Sequence, residues 1–302
     1  MKALSKNILE LIGNTPLMKI EIEKITIYAK LEMFNPGGSI KDRIALTIIN
    51  DLEKKGLITQ EKKVIEATSG NTGIGLSLVC AAKNYGCTIV MPENMSEERK
   101  KIIKAFGAEL ILTPAENGVP GAVKEVEKRI TENPNIYIPA NQFKNPTNVK
   151  THYEETAVEI MEQLTKLPGS FVAGVGTGGT LTGVGKRLKE ENKNTIIIAV
   201  EPSNSPVLSG GKPGIHKIQG IGAGFIPEIL DKTLIEEVIT VNYEETRYFC
   251  QKLSQKYGIL AGISSGANIA GIVKAFQKGL LKEPITTVLP DTGERYLSTD
   301  LF

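Results

Sequence analysis

Short apolar runs rich in β-branched residues alternate along this chain with segments of helical periodicity. Some of these runs, such as TIIIAV at 195–200, are apolar almost throughout, which is typical of strands covered on both faces. Strands are predicted at 25–31, 63–67, 88–91, 109–112, 135–139, 171–175, 195–200, 235–240 and 286–289. Helices are predicted at 39–54, 73–84, 96–105, 119–132, 148–164, 181–192 and 244–257. This alternation predicts an α/β fold with mainly parallel sheets joined by right-handed crossovers.

The length of 302 residues favours two domains, at roughly 100–200 residues for each. The best boundary is the segment NQFKNPTN (141–148), which is polar, contains proline and precedes a long helical pattern. In folds of this class, ligands bind beyond the carboxyl ends of the strands, where loops meet helix N-termini. We therefore expect the functional residues at the strand-to-helix junctions.

Composition and charge argue against several classes of protein. Lys and Arg number 36 against 34 Asp and Glu, with no long run of either sign, which argues against a nucleic-acid surface. Three cysteines without metal-type spacing argue against a disulfide framework or a metal site. No apolar stretch approaches the ~20 residues that cross a bilayer, and the N-terminal MKALSKNILELIGNTPL is typical of a short amphipathic helix and not of a signal peptide. We expect a cytoplasmic protein that binds neither nucleic acid nor membrane.

Glycine accounts for 30 of the 302 residues, above a usual share of ~7%, and it is concentrated in clusters. The clusters lie at 37–38, 70–75, 174–185, 210–224 and 262–266. In FVAGVGTGGTLTGVG (171–185), a strand runs through glycines into a helix, and a helix N-terminus of this kind binds phosphate. Because this loop has no Lys or Arg, the backbone and the hydroxyls of Thr177 and Thr180 would hold the anion. The alternative is a tight turn without a ligand.

The same loop also matches the dinucleotide-binding pattern GxGxxG, at Gly174, Gly176 and Gly179. Glu201 follows the next predicted strand, near where an acid that binds a ribose would lie. The loop by itself therefore leaves both a dinucleotide and a smaller phosphorylated ligand open.

Lys41 lies at the start of a predicted helix, directly after the turn in NPGGSIKDR (35–43). A cation at the N-terminus of a helix opposes the helix dipole, which favours a neutral amine. A neutral lysine is what Schiff-base chemistry requires. The alternatives are a solvated surface lysine and, for Asp42 and Arg43 beside it, a surface charge pair.

Two further junctions carry polar side chains at the start of a helix. In EATSGNTGIGL (66–76), the hydroxyl and amide side chains are those of Thr68, Ser69, Asn71 and Thr72. They would surround an open helix N-terminus that suits a carboxylate, or else form an ordinary N-cap. In LAGISSGA (260–267), two serines open a helix either as caps or as donors to a ligand.

Eight segments spread over nearly the whole chain complete the pattern. They are IGNTPL (12–17), NPGGSIKDRIA (35–45), TSGNTGIGL (68–76), MPENMSEERKKIIKAFGAEL (91–110), GTGGTLTGVGKRLKE (176–190), EPSNSPVLSGGKPGIHKIQGIGAGFIP (201–227), GISSGA (262–267) and LPDTGERYLST (289–299). In this order, they closely resemble the cysteine synthase (O-acetylserine sulfhydrylase) family of pyridoxal-phosphate enzymes.

The resemblance implies a fold type II pyridoxal-phosphate enzyme, an α/β protein of two domains with the cofactor in the cleft between them. Residues 35–145, with 1–12, are expected to form a smaller N-terminal α/β domain. Residues 146–302, with 13–34, are expected to form a larger C-terminal one. The resemblance also implies pyridoxal 5′-phosphate as the cofactor, a homodimer, and serine acetyltransferase as a candidate partner.

The resemblance further implies a role for each matching residue. Lys41 would be the catalytic residue and carry the cofactor as a Schiff base, Asn71 would hydrogen-bond the ring hydroxyl oxygen, and Ser264 would face the pyridine nitrogen. The residues expected to cradle the phosphate are Gly176, Thr177, Gly178, Gly179 and Thr180. The residues expected to hold the substrate α-carboxylate are Thr68, Ser69, Gly70, Thr72 and Gln142. Because a serine does not keep the ring nitrogen protonated, elimination at the β-carbon is favoured over transamination.

The implied activity is a β-replacement. O-acetyl-L-serine loses acetate to leave an α-aminoacrylate, and sulfide adds to it to give L-cysteine. Pro36 and Gly224 favour this activity over that of the cystathionine β-synthase relatives. The alternatives are an enzyme that releases sulfide or forms lanthionine from L-cysteine, a cystathionine β-synthase-like enzyme, and a catalytically silent binder or sensor.

One segment departs from the family pattern. THYEETAVEI (151–160) has Glu155, Ala157 and Val158 where the family's HxxTTGPEI has Thr, Gly and Pro. Because this segment is expected beside the substrate side of the cleft, the departure leaves the preferred amino-acid donor open.

Overall fold

Two sheets organise residues 4–302, the part of the chain that the computed structural model describes. The strands are β1 (Leu17–Ile22), β2 (Ile25–Leu31), β3 (Lys63–Ala67), β4 (Gly86–Pro92), β5 (Glu109–Thr113), β6 (Tyr137–Pro139), β7 (Ser170–Gly174), β8 (Ile196–Pro202), β9 (Glu237–Val241) and β10 (Ile285–Leu289). One sheet has the order β1-β2-β10-β7-β8-β9 and the other β5-β4-β3-β6. Every pairing is parallel except that of β1 with β2. The predicted α/β fold with mainly parallel sheets is confirmed.

The helices alternate with these strands and cover the sheets. They are α1 (Lys41–Lys54), α2 (Asn71–Lys83), α3 (Glu97–Ala105), α4 (Gly118–Glu132), α5 (Pro146–Thr151), α6 (Ala157–Glu162), α7 (Gly179–Glu191), α8 (Tyr243–Tyr257) and α9 (Ile263–Gln277). A π-helical turn, His152–Thr156, joins α5 to α6. The helix predicted at 148–164 is therefore interrupted at its centre.

Two elements differ from the sequence predictions at the N-terminal end. The predicted amphipathic helix is a single 3₁₀ turn, Ile8–Leu11, and residues 1–3 of that prediction lie outside the described residues. The strand β1 was not predicted. It is an edge strand whose first three residues are half-buried or exposed, so its sequence, LMKIEI, lacks the continuous apolar run of the inner strands.

The inner strands of the larger sheet are buried on both faces. Along β8, Ile198 and Val200 pack with the apolar residues of α8 and α9, whereas Ile197 and Ala199 pack with those of α6 and α7. The smaller sheet is covered in the same way, by α1 and α2 on one face and α4 on the other. Burial on both faces explains why these strands appear in the sequence as uninterrupted apolar runs.

A buried cluster of charges fixes the first turn of α1. Arg43 donates from Nε to Glu32 at 2.8 Å and from Nη1 to Glu159 at 2.5 Å, and Lys30 Nζ lies 2.7 Å from Glu159. Burial acts to raise the pKa of Glu159, but the hydrogen bonds and charges of Arg43 and Lys30 hold it at about 2. Arg43 and Asp42 are both fully buried, so the surface charge pair left open from the sequence is wrong.

We expect Arg43→Ala to lower the free energy of unfolding by about 3–5 kcal/mol, because it leaves the carboxylate of Glu32 buried and unpaired. Chemical denaturation of the apoprotein measures the change. Lys55→Ala is the control, since Lys55 forms an exposed pair with Asp51, and it should change the free energy by about 0.5 kcal/mol or less. Equal effects of the two substitutions would contradict the importance of the buried cluster.

Candidate active site

The carboxyl ends of strands from both sheets lie at the wall of one cavity of about 760 Å³. Pro92 ends β4 and Gly174 ends β7, and both line it, as does Pro290 directly after β10. The first turns of α1, α2, α7 and α9 also open onto the cavity. This is the location that ligands occupy in parallel α/β folds.

The structure brings the predicted site residues together in this cavity. Its lining includes Lys41, Thr68, Ser69, Asn71, Thr72, Gln142, Gly176, Thr177, Gly178, Thr180 and Ser264. Gly70 and Gly179 do not line it and instead shape the turns at the start of α2 and α7. Gly70 has φ +146°, and a Cβ there would lie 2.1 Å from Cδ of Arg99, so only glycine suits the position.

Lys41 is the first residue of α1, and its side chain is half-buried in the cavity wall. Burial lowers the pKa of its amine to about 8, while the negative charge of Asp291 acts to raise it. The direction agrees with the sequence prediction, and the largest cause is the loss of hydration on burial. A substantial neutral fraction of this amine is thus present slightly above neutral pH.

The loop before α7 has the features of a phosphate cradle. The N-cap is Gly178, in a left-handed conformation at φ +84°, and it offers no side chain to the first N–H groups of the helix. A Cβ on Gly176 would lie 2.3 Å from the carbonyl oxygen of Gly220, so the loop packs tightly against another segment that lines the cavity. The N–H of Gly179 makes a long contact of 3.4 Å with Oγ1 of Thr177, and the other N–H groups of this glycine loop fit the phosphate of pyridoxal phosphate.

His152 supports this loop, although sequence reasoning assigned it no role. Its Nε2 lies 3.2 Å from Oγ1 of Thr180 and its Nδ1 lies 3.0 Å from Oγ1 of Thr156. Burial, and then the positive charges of Lys41 and Arg43, lower the pKa of His152 well below its ordinary value. The imidazole is therefore neutral. Because it has no partner acid at a fixed spacing, the sequence carried no signal for it.

The turn before α2 is tied to Gln142. Thr72 donates from Oγ1 to Oε1 of Gln142 at 2.6 Å, and Gln142 donates from Nε2 to the carbonyl oxygen of Ala67 at 3.0 Å. Beneath them, burial raises the pKa of Glu66 to about 7, against the backbone N–H of Gln142 that acts to lower it. These contacts set hydroxyl and amide groups side by side at one wall, an arrangement suited to a carboxylate.

The structure decides against the dinucleotide interpretation. The carboxylate of Glu201 accepts from the backbone N–H of Leu208 at 2.8 Å and from that of Ser209 at 3.0 Å. Glu201 thus holds the loop after β8, and it is not among the described residues that line the cavity. The acid that the dinucleotide pattern would use is therefore not available to a ribose in the cavity.

The departure from the family pattern lies outside the cavity. Glu155, Ala157 and Val158 do not belong to the described residues that line it. Glu155 Oε2 instead lies 3.8 Å from Nη1 of Arg43. Glu155 therefore adds to the charge cluster behind α1, Ala157 packs in the apolar core, and none of the three residues changes the wall that a substrate would contact.

Sequence reasoning also missed residues that connect the cavity walls. Asn268 accepts from the N–H of Gly174 at 2.7 Å and donates to the carbonyl oxygen of Val288 at 2.8 Å, which joins β7 to β10 at the cavity. Arg99 is buried and donates from Nη1 to Oε1 of Gln219 at 2.6 Å. Arg99 stands in a run of charges, EERKK, which by itself is typical of a solvated helix.

Fold and cavity together define the class: an α/β enzyme that holds a phosphorylated cofactor at a helix N-terminus, opposite a lysine of lowered pKa. The profile of the family described as "Pyridoxal-phosphate dependent enzyme" matches residues 8–293. The chain belongs to this family, and its cofactor is pyridoxal phosphate.

Individual relatives show which enzymes within this family are similar to the chain. A cysteine synthase of Staphylococcus aureus is 48% identical over 98% of this chain and 96% of its own. O-acetyl serine sulfhydrylase isoform 3 of Entamoeba histolytica has a TM-score of 0.92 and 44% identity, covering 100% of this chain and 92% of that one. A hydrogen sulfide-producing enzyme from Fusobacterium nucleatum has a TM-score of 0.93 and 44% identity, covering 97% of this chain and 100% of that one.

Within residues 4–302, no cluster of His, Cys, Asp and Glu is placed to hold a metal ion, and no helix has the length and apolar character needed to cross a membrane.

The rate of covalent uptake of pyridoxal phosphate by the apoprotein should follow the neutral fraction of Lys41. With a pKa of about 8, the rate should rise roughly tenfold per pH unit well below pH 8 and level off above it. Stopped-flow absorbance measures the rate. Nα-acetyl-lysine amide is the control, since its ordinary pKa keeps its rate rising beyond pH 9. A protein rate that still climbs tenfold between pH 8.5 and 9.5 would contradict the lowered pKa.

Gly176→Ala should weaken cofactor binding, because the added Cβ would collide with the carbonyl oxygen of Gly220 and displace the loop. We expect the dissociation constant of pyridoxal phosphate to rise about tenfold, measured by equilibrium dialysis. Gly185→Ala in α7 is the matched control, since its Cβ would meet only side-chain atoms of Ile197 at 3.4 Å or more. Equal dissociation constants for the two variants would show that the loop is not the phosphate cradle.

Proposed function

We propose that this enzyme forms L-cysteine from O-acetyl-L-serine and sulfide by β-replacement on pyridoxal phosphate. The observation that carries the proposal is the convergence, in one cavity, of a lysine of lowered pKa, an open glycine loop and a turn rich in hydroxyls. The similarity to the cysteine synthase and the sulfhydrylase supports the same substrate pair.

The proposed roles of the cofactor-binding residues follow from their positions. Lys41 would bind the aldehyde carbon, and the N–H groups from Gly176 to Thr180 would bind the phosphate. Asn71 would donate a hydrogen bond to the ring oxygen, and Ser264, in the first turn of α9, would face the ring nitrogen. When bound, pyridoxal phosphate supplies an electron sink for the α-carbon of the substrate.

The substrate would be held by the turn from Thr68 to Thr72 together with Gln142. The N-terminus of α2 and the hydroxyls of this turn would receive the α-carboxylate, which orients the α-proton toward Nζ of Lys41. In its neutral form, Lys41 would take that proton, and the lowered pKa makes this form accessible. Phe143 lines the cavity and contacts Phe225 edge to face, with 5.1 Å between centroids, and its ring would help to exclude water from the cavity.

A second candidate function is the release of sulfide from L-cysteine. It is favoured by the similarity to the hydrogen sulfide-producing enzyme, which is as high as that to the sulfhydrylase. Cysteine would bind the same turn through its α-carboxylate and lose sulfide in place of acetate. The two functions differ in the preferred donor and not in the residues that hold it.

The domain division is also proposed as predicted, with 35–145 and 1–12 in one domain and 146–302 and 13–34 in the other. It is supported by the sheets, because β3 to β6 all lie within 35–145, whereas β1, β2 and β7 to β10 lie outside it. We further propose a cytoplasmic homodimer, with serine acetyltransferase as a candidate partner. Exposed apolar side chains support self-association, among them Phe34, which is 64% exposed.

The test is an assay of cysteine formation from O-acetylserine and sulfide by the purified, cofactor-loaded protein. We expect Lys41→Ala to abolish the visible absorption band and to lower turnover at least about 10²–10⁴-fold, while Lys55→Ala, at the other end of α1, retains both. Titration with O-acetylserine, cysteine and serine ranks the donors. A higher specificity constant for cysteine would favour sulfide release, and a colourless protein that binds NAD would overturn both functions.

A further inference from the structure

The side-chain amide of Asn71 is held at both ends by groups of opposite hydrogen-bonding character. Its Nδ2 donates to Oδ2 of Asp291 at 2.7 Å, and its Oδ1 accepts from Nη1 of Arg295 at 2.6 Å. A carboxylate can only accept hydrogen bonds, and a guanidinium can only donate them. The nitrogen and oxygen of this amide therefore cannot exchange places without breaking both contacts.

Asp291 is fully buried, yet among the described residues only one of its two carboxylate oxygens has hydrogen-bond partners. Oδ2 also accepts from the hydroxyl of Tyr296 at 2.8 Å, and Nη2 of Arg99 lies 3.8 Å from it. Oδ1 has no hydrogen-bond partner within residues 4–302. A buried carboxylate that is only partly hydrogen-bonded costs stability, so its presence is better explained by an effect on the site than by the fold alone.

The backbone of Asp291 lies at the junction of the segments that lead to the cofactor-binding residues. It forms a β-bridge with Ser39, two residues before Lys41, and its carbonyl oxygen accepts from the N–H of Gly262 at 2.8 Å, two residues before Ser264. Its charge also acts on the amine of Lys41. A carboxylate at this junction is held at a constant position relative to the whole cofactor site.

We infer that Asp291 and Arg295 are positioning residues that hold the amide of Asn71 with its nitrogen oriented to serve the ring oxygen of the cofactor. This inference rests on the proposed contact between Asn71 and pyridoxal phosphate. A primary amide has two N–H groups, and Asp291 takes one of them, which leaves the second as a donor. If the amide of Asn71 were flipped, its oxygen would face the ring oxygen and could not donate a hydrogen bond to it. Arg295 opposes this flipped orientation because it would then face the amide nitrogen, which cannot accept its hydrogen bond.

The experiment measures two properties of the cofactor-loaded protein that do not depend on turnover. They are the dissociation constant of pyridoxal phosphate and the ratio of its visible to its near-ultraviolet absorption band, which responds to hydrogen bonding at the ring oxygen. For Asp291→Asn, whose amide lets Asn71 flip, we expect the dissociation constant to rise about tenfold and the band ratio to change. In an Asn71→Ala background, Asp291→Asn should cause no further change in either property.

Glu201→Gln is the matched control. Glu201 is also a buried carboxylate, but it holds the loop after β8 and has no hydrogen bond with Asn71, Asp291 or Arg295. We expect it to keep the wild-type band ratio. A change as large as that of Asp291→Asn would overturn the inference, as would an effect of Asp291→Asn that persists without the Asn71 side chain.

Arg295→Gln tests the same orientation from the other end, since glutamine can accept as well as donate. It should shift the band ratio as Asp291→Asn does, and it carries the test if Asp291→Asn does not fold. Wild-type values in the folded variants, or loss of the fold in both, would overturn the inference and leave the pair a structural role. Failure of the wild-type protein to bind pyridoxal phosphate would instead overturn the proposed function.

Discussion

The buried ion pairs of Arg43 with Glu32 and Glu159 are the constraint on which the site depends. They attach the first turn of α1 to the residue directly after β2 and to α6, although α1 itself packs on the smaller sheet. Lys41 lies two residues before Arg43, so the same contacts set the position of its amine relative to the larger sheet. The departure at Glu155 adds a further carboxylate to this cluster and leaves the cavity wall unchanged.

Loss of hydration shifts the pKa values of the basic and the acidic groups around the cavity in opposite directions. Burial lowers the pKa of Lys41 to about 8 and raises those of Asp42 and Glu66 to about 7. Each shift favours the neutral form, as removal from water requires. Groups that retain their charge need partners, as Arg43 does in its two carboxylates. The cavity is therefore an environment in which an amine gives up a proton readily.

Much of this fold could be predicted from the chain because local pattern and tertiary environment agree. The bounds of β2 and β3 match their predictions, since most residues of both strands are buried. The edge strand β1 and the π-helical turn at His152–Thr156 were missed, because each is decided by contacts with distant segments and not by periodicity. Charged residues were the hardest to interpret: Arg43 and Arg99 have ordinary local surroundings in the sequence, yet both are buried.

Local sequence features were enough to indicate which residues could do chemistry here, because glycine turns, hydroxyl clusters and a lysine at a helix start have a physical meaning that does not depend on distant segments. The sequence also determined the alternation of strands and helices, and its motifs indicated the enzyme family. Tertiary contacts were needed to show that Glu201 holds a loop, that burial lowers the pKa of Lys41, and that Asp291 and Arg295 bind the amide of Asn71. These outcomes depend on contacts, and on the loss of hydration that they cause, between segments as many as 224 residues apart in the sequence. No local stretch of the chain can therefore predict them.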